Sequence, residues 1–522
     1  MLRMNRSTGT HDSSLLRESA KGSLGSVVAL GVGLLLDLTL AFLLGAGART
    51  DALYVALRIP LGVAVFFPAT ATQILVPAIS RWLGTDDIRR TNSQTTAVLL
   101  ATFALTGLLA IACLLFAPQL VRVLAPGMAP ASQALSADLA RVAFLMIPPA
   151  AASQVLLAYR HAHRMHGLAS AAQAVIGLTV VSILLASNGR ADVQLAVSAY
   201  VLGAACQLIL AWLLARASGF SFVPGRLLTP ETRLVGSRSA RPLAASAVQL
   251  GTRIVELMVA SFLAPGSITI LTYANRLIGA VGGTLFFKPV MTAFIAPMSR
   301  EHALGNTNAL HALLRNGLRL MLLISVPLTA IVAVGGSAFV AGIFSTGNFG
   351  ADQARMLGIA IAVYATSLPS AALQRMLLGF TFAQLDTATY LRNTIYGAVS
   401  NLVLLGAAML LWQPPLPLLI VPIAFSLSQV VNAWHAASTV RRYLGEALAV
   451  LQGLTWRSML LVAAGIATMI PIRLWLAPDL TGSPVSLIIA GLATSLVGAL
   501  VLGAGVLLAK GSATQITQHP RG

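Results

Sequence analysis

Residues 54–81 read YVALRIPLGVAVFFPATATQILVPAISR, and residues 273–300 read YANRLIGAVGGTLFFKPVMTAFIAPMSR. Each stretch is apolar over more than the roughly 20 residues that a helix needs to cross a hydrocarbon core. Each also carries an arginine near its start, Arg58 in one and Arg276 in the other. The two stretches match one another. Tyr54 pairs with Tyr273, Phe66-Phe67-Pro68 with Phe286-Phe287 and Pro289, Pro77 with Pro297, and Ser80-Arg81 with Ser299-Arg300. Farther along, IPPAAASQVLLAY (147–159) and LPSAALQRMLLGF (368–380) agree at nearly the same spacing. An offset of about 220 residues that recurs in separate segments indicates an internal duplication.

The whole chain has the same character. It has 522 residues, of which 57% are hydrophobic and 9% charged, with a mean hydropathy of +0.84. A soluble protein carries about 25% charged residues. The expected fold is therefore an all-α polytopic membrane protein, since the short alternating segments of a transmembrane barrel are not seen. Fourteen spans are expected by length, near 24–45, 54–79, 95–117, 137–158, 168–188, 193–215, 241–264, 267–297, 317–336, 356–380, 389–411, 417–438, 457–477 and 485–509. Assigning the loops alternately to two sides places about 22 Lys and Arg on one side and about four on the other, which puts both termini in the cytoplasm. The formal net charge of +19 then belongs to cytoplasmic loops and not to a nucleic-acid surface.

The expected organisation is a cytoplasmic tail (1–22), a six-helix bundle (23–215), a basic cytoplasmic linker (216–240), a second six-helix bundle (241–440), two further helices (441–509) and a tail (510–522). The first apolar stretch is too long for a signal-peptide core and reads as a retained helix. Six spans per repeat is an even number, so both repeats share one orientation. Their pseudo-two-fold axis then runs along the membrane normal, and substrate is expected between the halves.

Few ionisable groups remain inside the spans: Asp37, Arg58, Arg141, Arg253, Glu256, Arg276 and Lys288. Arg141, Arg319, Arg375 and Arg473 lie near span ends, where long side chains can reach water. Arg253 and Glu256 are three residues apart and share a helix face. Arg58 and Arg276 occupy nearly equivalent places in the two repeats. The central set of Arg58, Arg253, Arg276 and Lys288 against Asp37 and Glu256 is net positive, which hydrocarbon does not tolerate bare. Water or an anion must compensate it, and a guanidinium fork suits phosphate oxygens. Matched prolines, Pro60, Pro68 and Pro77 in one repeat and Pro289 and Pro297 in the other, suggest a working hinge.

Other signals carry less. RHAHRMH gathers His161, His163 and His166, but no cysteine or carboxylate completes a metal site. Cys113 and Cys206 read as small apolar residues. No Walker sequence and no catalytic acid pair or Ser/His/Asp set is present, so no enzyme activity and no cofactor is expected. A coupling cation or the membrane potential could supply the driving force.

Six stretches, GAGARTDALYVALRIP, LVRVLAPGMAP, ASFLAPGSITILTYANRL, FIAPMSR, IFSTGNFGADQARM and LLGFTFAQLDTATY, carry a resemblance. They spread over about 400 residues and resemble the MurJ (MviN-type) lipid II flippases of the multidrug/oligosaccharidyl-lipid/polysaccharide exporter superfamily. That resemblance implies fourteen helices, in two six-helix bundles with a C-terminal pair. It also implies translocation of an undecaprenyl-diphosphate-linked saccharide across the bacterial inner membrane through a cationic cavity. The bilayer would hold the lipid tail, and glycan-synthesis enzymes would be neighbours.

Residue by residue, Asp51 matches the family's acidic residue after the first helix and Arg58 its basic residue before the proline of span two. Arg276 matches the arginine of its span-eight motif, and Thr269 stands at a hydroxyl position. The chain departs from the family pattern at Leu30 and Leu36, where arginines are usual, and at Leu61, Ala64, Val65 and Gly279. These departures suit an alternative cargo, an exopolysaccharide or O-antigen precursor. The alternative of another class is a non-transporting scaffold of a glycan-assembly complex.

Overall fold

The computed structural model describes residues 8–70, 74–84, 87–225, 229–384, 386–411, 417–444, 469–476, 480 and 483–515. All the regular structure among them is helical, and by contacts the chain divides into two compact units. The first holds residues 1–44 and 48–250; the second holds 45–47 and 251–522.

The first unit begins with α1 (Thr8–Leu44), α2 (Ala48–Thr70), α3 (Val76–Leu83) and α4 (Ile88–Leu115). It continues through α5 (Ala117–Leu124), α6 (Pro130–Ala143), α7 (Ile147–Ala162), α8 (His166–Ala171), α9 (Val175–Ala186) and α10 (Val193–Ala217). Helix α7 is its axis, with every residue from Ala150 to Tyr159 buried. Pro148 and Pro149 sit in its first turn, where a missing N–H costs nothing because those donors have no intrahelical acceptor. Alanines and Ser153 keep the helix narrow enough for neighbours on all sides. Tyr159 closes its end by donating to Asn92 Oδ1 of α4 at 3.0 Å. The chain leaving α10 lies back along the same polar end of α4. Asn92 Nδ2 donates to the Gly219 carbonyl and to Ser221 Oγ, and the Val223 N–H donates to Thr96 Oγ1. Part of the segment expected as a linker is thus bonded to α4, and residues 226–228 lie outside the described residues. Helix α11 (Pro230–Ala260) then runs through the division between the units at Leu250/Gly251.

The second unit contains the rest of α11, then α12 (Ser267–Ile278), α13 (Lys288–Ala303), α14 (Thr307–Ala330), α15 (Ser337–Phe344), α16 (Ala351–Ala365) and α17 (Leu368–Ala383). Helices α18 (Thr387–Leu411), α19 (Ile420–Leu444) and α20 (Pro484–Gln515) complete it. Between α12 and α13 the helix widens into a π-helical stretch, Gly279–Phe287, and a second such stretch, Ile331–Gly336, joins α14 to α15. The first has a local cause. Pro289 has no N–H for the Leu285 carbonyl, and a proline inside a helix also crowds that carbonyl. Three glycines in the stretch resist the change of pitch weakly. Of the two prolines expected to form a hinge in span eight, Pro289 follows this widening and Pro297 lies inside α13. Gly266, left-handed at φ 94°, starts α12. A Cβ there would come 3.1 Å from the Ala46 carbonyl oxygen, so glycine is needed both for the dihedral and for the approach.

Nine helical stretches among the described residues are long and apolar enough to cross a membrane. A tenth appears if α16 and α17, bent by 44°, count as one. Most of the fourteen expected spans coincide with these. The second folds as α2 and α3, with 71–73 between them outside the described residues. The twelfth is α19, and the fourteenth falls in α20, whose apolar part is Pro484–Leu500. Of the thirteenth only residues 469–476 are described, and they are helical. The tail residues 1–7 and 516–522 lie outside the described residues. Large apolar side chains stand exposed along α4, among them Phe103, Leu105, Leu108 and Ile111. Such a surface belongs in lipid, where each helix satisfies its own backbone.

Candidate functional site

Within the first unit the functional candidates lie on α1 and α2. Asp51 is in the first turn of α2 and is buried, and a carboxylate there is favoured by the unpaired N–H groups and the helix dipole. Tyr54 and Arg58 follow at three and seven residues, so all three share one face of α2. Tyr54 is buried, while Arg58 is half-buried. Asp37, on α1, is 2% exposed. None of the four stands without an interaction.

Helix α12 repeats this arrangement in the second unit. Thr269, Tyr273 and Arg276 fall at zero, four and seven residues along it, again on one face. Thr269 and Tyr273 are fully buried and Arg276 is half-buried in the last turn, where the π-helical stretch begins. Tyr273 is fixed by an aromatic group, its ring centroid 5.5 Å from Phe344 and 6.1 Å from Phe349. Each of these two helices thus carries a tyrosine and a half-buried arginine on one face.

The remaining candidates separate. Arg253 Nη1 donates to Glu256 Oε2 at 2.9 Å. Asn401 Nδ2 of α18 donates to the other carboxylate oxygen at 3.1 Å, and the Arg253 guanidinium lies 5.3 Å from the Phe425 ring centroid on α19. Glu256 is 6% exposed. Removing its charge from water is costly unless both oxygens are bonded, and here both are. Arg253 is therefore held by the Glu256 carboxylate and the Phe425 ring, and Asn401 in turn holds Glu256. Its charge is spent inside the unit, which leaves less of it for a cargo. Lys288, at the start of α13, is exposed.

Two features of this region were not visible in the sequence. Asn401 joins Glu256 only through the packing of α18 on α11. A faint signal existed, since Asn393 and Asn401 lie eight residues apart on one face of an apolar helix. The second is Arg375, expected near a span end. Helix α17 continues to Ala383, so Arg375 stands about 12 Å inside its end at 1.5 Å per residue. Its Nη2 is 3.2 Å from where a Cβ on Gly283 would be.

At Leu36, where the family resemblance leads one to expect an arginine, the side chain is buried and packs 3.7 Å from the Cβ position of Gly177 on α9. The position serves packing in this chain. The loop histidines also have partners within the protein. The Nδ1 atoms of His161 and His166 are 3.0 Å apart, and His163 Nδ1 is 2.9 Å from the Tyr159 carbonyl oxygen. Among the described residues no group of three or more His, Cys, Asp or Glu is placed to hold a metal ion.

A sequence profile described as lipid II flippase MurJ matches residues 40–493. A probable lipid II flippase MurJ of Vibrio cholerae serotype O1 is 26% identical over 415 residues, covering 75% of this chain and 77% of that protein. One of Rhizobium meliloti is 25% identical over 401 residues, covering 73% and 72%. Among solved structures, a lipid II flippase MurJ in an inward closed conformation superposes with a TM-score of 0.75 at 14% identity, over 94% of this chain and 98% of that one. An inward-facing multidrug resistance MATE family transporter of the MOP superfamily gives 0.65 at 16% identity, over 81% and 98%. The last two show a shared fold.

Proposed function

This chain belongs to the lipid II flippase MurJ family, and we propose that it carries an undecaprenyl-diphosphate-linked glycan precursor of the lipid II type from the cytoplasmic to the outer leaflet of the bacterial inner membrane. The observation that supports this reading best is the doubled polar face: Asp51–Tyr54–Arg58 on α2 and Thr269–Tyr273–Arg276 on α12. Two half-buried guanidinium groups on apolar helices suit an anionic headgroup, because each offers planar, paired donors to phosphate oxygens. The buried Asp51 carboxylate and Thr269 hydroxyl lie on the same faces. Arg253, paired with Glu256, which Asn401 holds in turn, stiffens the second unit. Lys288 adds charge at the start of α13.

No covalent step is involved. The family is one of transporters, and the residues above bind, orient and release. Alternation of access by rocking of the two repeats, with both termini in the cytoplasm, completes the proposal. Asp37 is the carboxylate of the first unit best placed by burial to take part in coupling to a cation or to the membrane potential. Neither the exopolysaccharide cargo nor the scaffold is favoured by the family match. The test is depletion of the protein followed by identification of the lipid-linked sugar that accumulates. Build-up of lipid II inside the cell supports the proposal; build-up of a different undecaprenyl-linked glycan with lipid II unchanged overturns it.

A further inference from the structure

The strongest unassigned feature in the second unit is Arg375. It lies well inside α17, yet among the described residues no carboxylate is within ion-pair distance of it and no hydrogen bond engages its guanidinium. The side chain is exposed, and the guanidinium lies across Gly283, whose Cβ position would be 3.2 Å from Nη2, 3.5 Å from Nη1 and 3.7 Å from Cζ. Gly283 is buried and near the middle of the span Ser267–Ala303. A permanent charge beside the backbone at that depth requires water or an anion. Glycine is what permits the approach. The neighbouring Gly282 is filled by Leu368 Cδ2, 2.4 Å from its Cβ position, so the seat at Gly283 is reserved for the guanidinium. The π-helical widening that carries Gly283 begins three residues after Arg276, which ties the two arginines to one irregular element.

We propose that Arg375, laid on the glycine seat at Gly283, is a phosphate-oxygen-binding residue of the second unit. This rests on the reading of the cargo as a diphosphate lipid. Arg375 acts as the counter-charge that receives the phosphate as it passes along the widened helix, and Gly283 is the positioning residue that keeps the guanidinium there. The same chemistry would bind a free diphosphate.

The experiment titrates the full-length protein in detergent with undecaprenyl diphosphate, read by native mass spectrometry, and with inorganic pyrophosphate, read by calorimetry. The variants are Arg375→Gln, Arg375→Lys, Gly283→Ala and Arg276→Gln. Gly406→Ala, on α18 with nothing within 4 Å of its Cβ position, is the control. Arg375→Gln and Gly283→Ala each weaken undecaprenyl diphosphate about tenfold, the scale of one charge-assisted hydrogen bond. Arg375→Lys keeps part of the affinity, and Gly406→Ala binds as the parent does. Monodisperse elution and unchanged melting temperature show that a variant is folded, and Arg375→Lys carries the test if Arg375→Gln is not. If Arg276→Gln weakens binding while Arg375→Gln and Gly283→Ala do not, the inference falls and the proposed function stands. If the parent binds pyrophosphate through Arg375 but not the lipid, the anion site stands and the lipid cargo falls. If the parent binds neither, both fall.

Discussion

Arg253 and Arg276 lie on apolar helices of the second unit with different surroundings. Arg253 has a carboxylate three residues ahead on its own helix, with Asn401 and Phe425 closing around the pair. Arg276 has Tyr273 and Thr269 behind it and a widened helix in front. Replacing Arg253 with Ala leaves the Glu256 carboxylate buried with one amide donor. With Arg253 itself about a third exposed, the expected destabilisation is about 2–3 kcal/mol, and Arg253→Met combined with Glu256→Leu restores most of it. Thermal unfolding of the purified single and double variants in detergent measures this. The Arg253–Glu256 pair was legible in the sequence, because three-residue spacing puts both on one face. Asn401 and Phe425 were not, since only the packing of α18 and α19 against α11 brings them there. Arg375 was expected near a span end because apolar character fades at residue 380; the helix runs to Ala383 and the side chain is exposed.

At the scale of elements, the duplicated prolines were legible but their consequence was not. Pro60 and Pro68 lie within α2. Pro289 instead follows a stretch containing three glycines, and that stretch has become π-helical. A propensity argument names the carbonyl that loses its partner but not how neighbouring turns share the strain. Returning an N–H at this position, by Pro289→Ala, is expected to favour the α-helical path through Gly279–Phe287 and raise thermal stability by up to about 3 kcal/mol. Transport falls if the widened turn is part of the working cycle. Melting temperature and translocation rate, measured on the same preparation, separate the two effects.

Helix α18 gives a second test. Asp386 caps it, accepting from the Thr389 N–H at 3.0 Å and from the Thr389 hydroxyl, and these bonds hold its carboxyl below the usual carboxylate range. The stability it contributes is complete above the ordinary aspartate value and is lost as pH falls through the lowered one. Asp386→Ala is expected to cost about 1 kcal/mol at neutral pH. The difference from the parent should vanish in strongly acidic solution, as melting curves across pH would show. Gly491 gives a third. Its Cβ position is 2.4 Å from the Phe339 backbone nitrogen, so α20 meets α15 backbone to backbone. Gly491→Ala is expected to cost about 1–3 kcal/mol by overpacking, visible as a lower melting temperature.

For the whole molecule, composition alone fixed the solvent: exposed Phe103, Leu105 and Leu108 on α4 are what a bilayer-facing surface requires. The repeat was legible from aromatic and proline pairs; the chain divides into two compact units, each with a helix that carries a Tyr and an Arg on one face. The sugar was not legible, because hydrogen-bonding residues for a glycan follow no spacing that the sequence displays. The asymmetry of Lys and Arg between alternate loops predicts that both termini face the cytoplasm. Reporter fusions at either end should fluoresce as GFP and be inactive as alkaline phosphatase. The most direct test of the central claim is the translocation of fluorescent lipid II in proteoliposomes containing the parent protein, Arg58→Ala or Arg276→Ala. Translocation by the parent, with a loss of about tenfold or more in each variant despite normal folding and reconstitution, is the predicted result. Translocation by both variants at the parental rate would contradict the account.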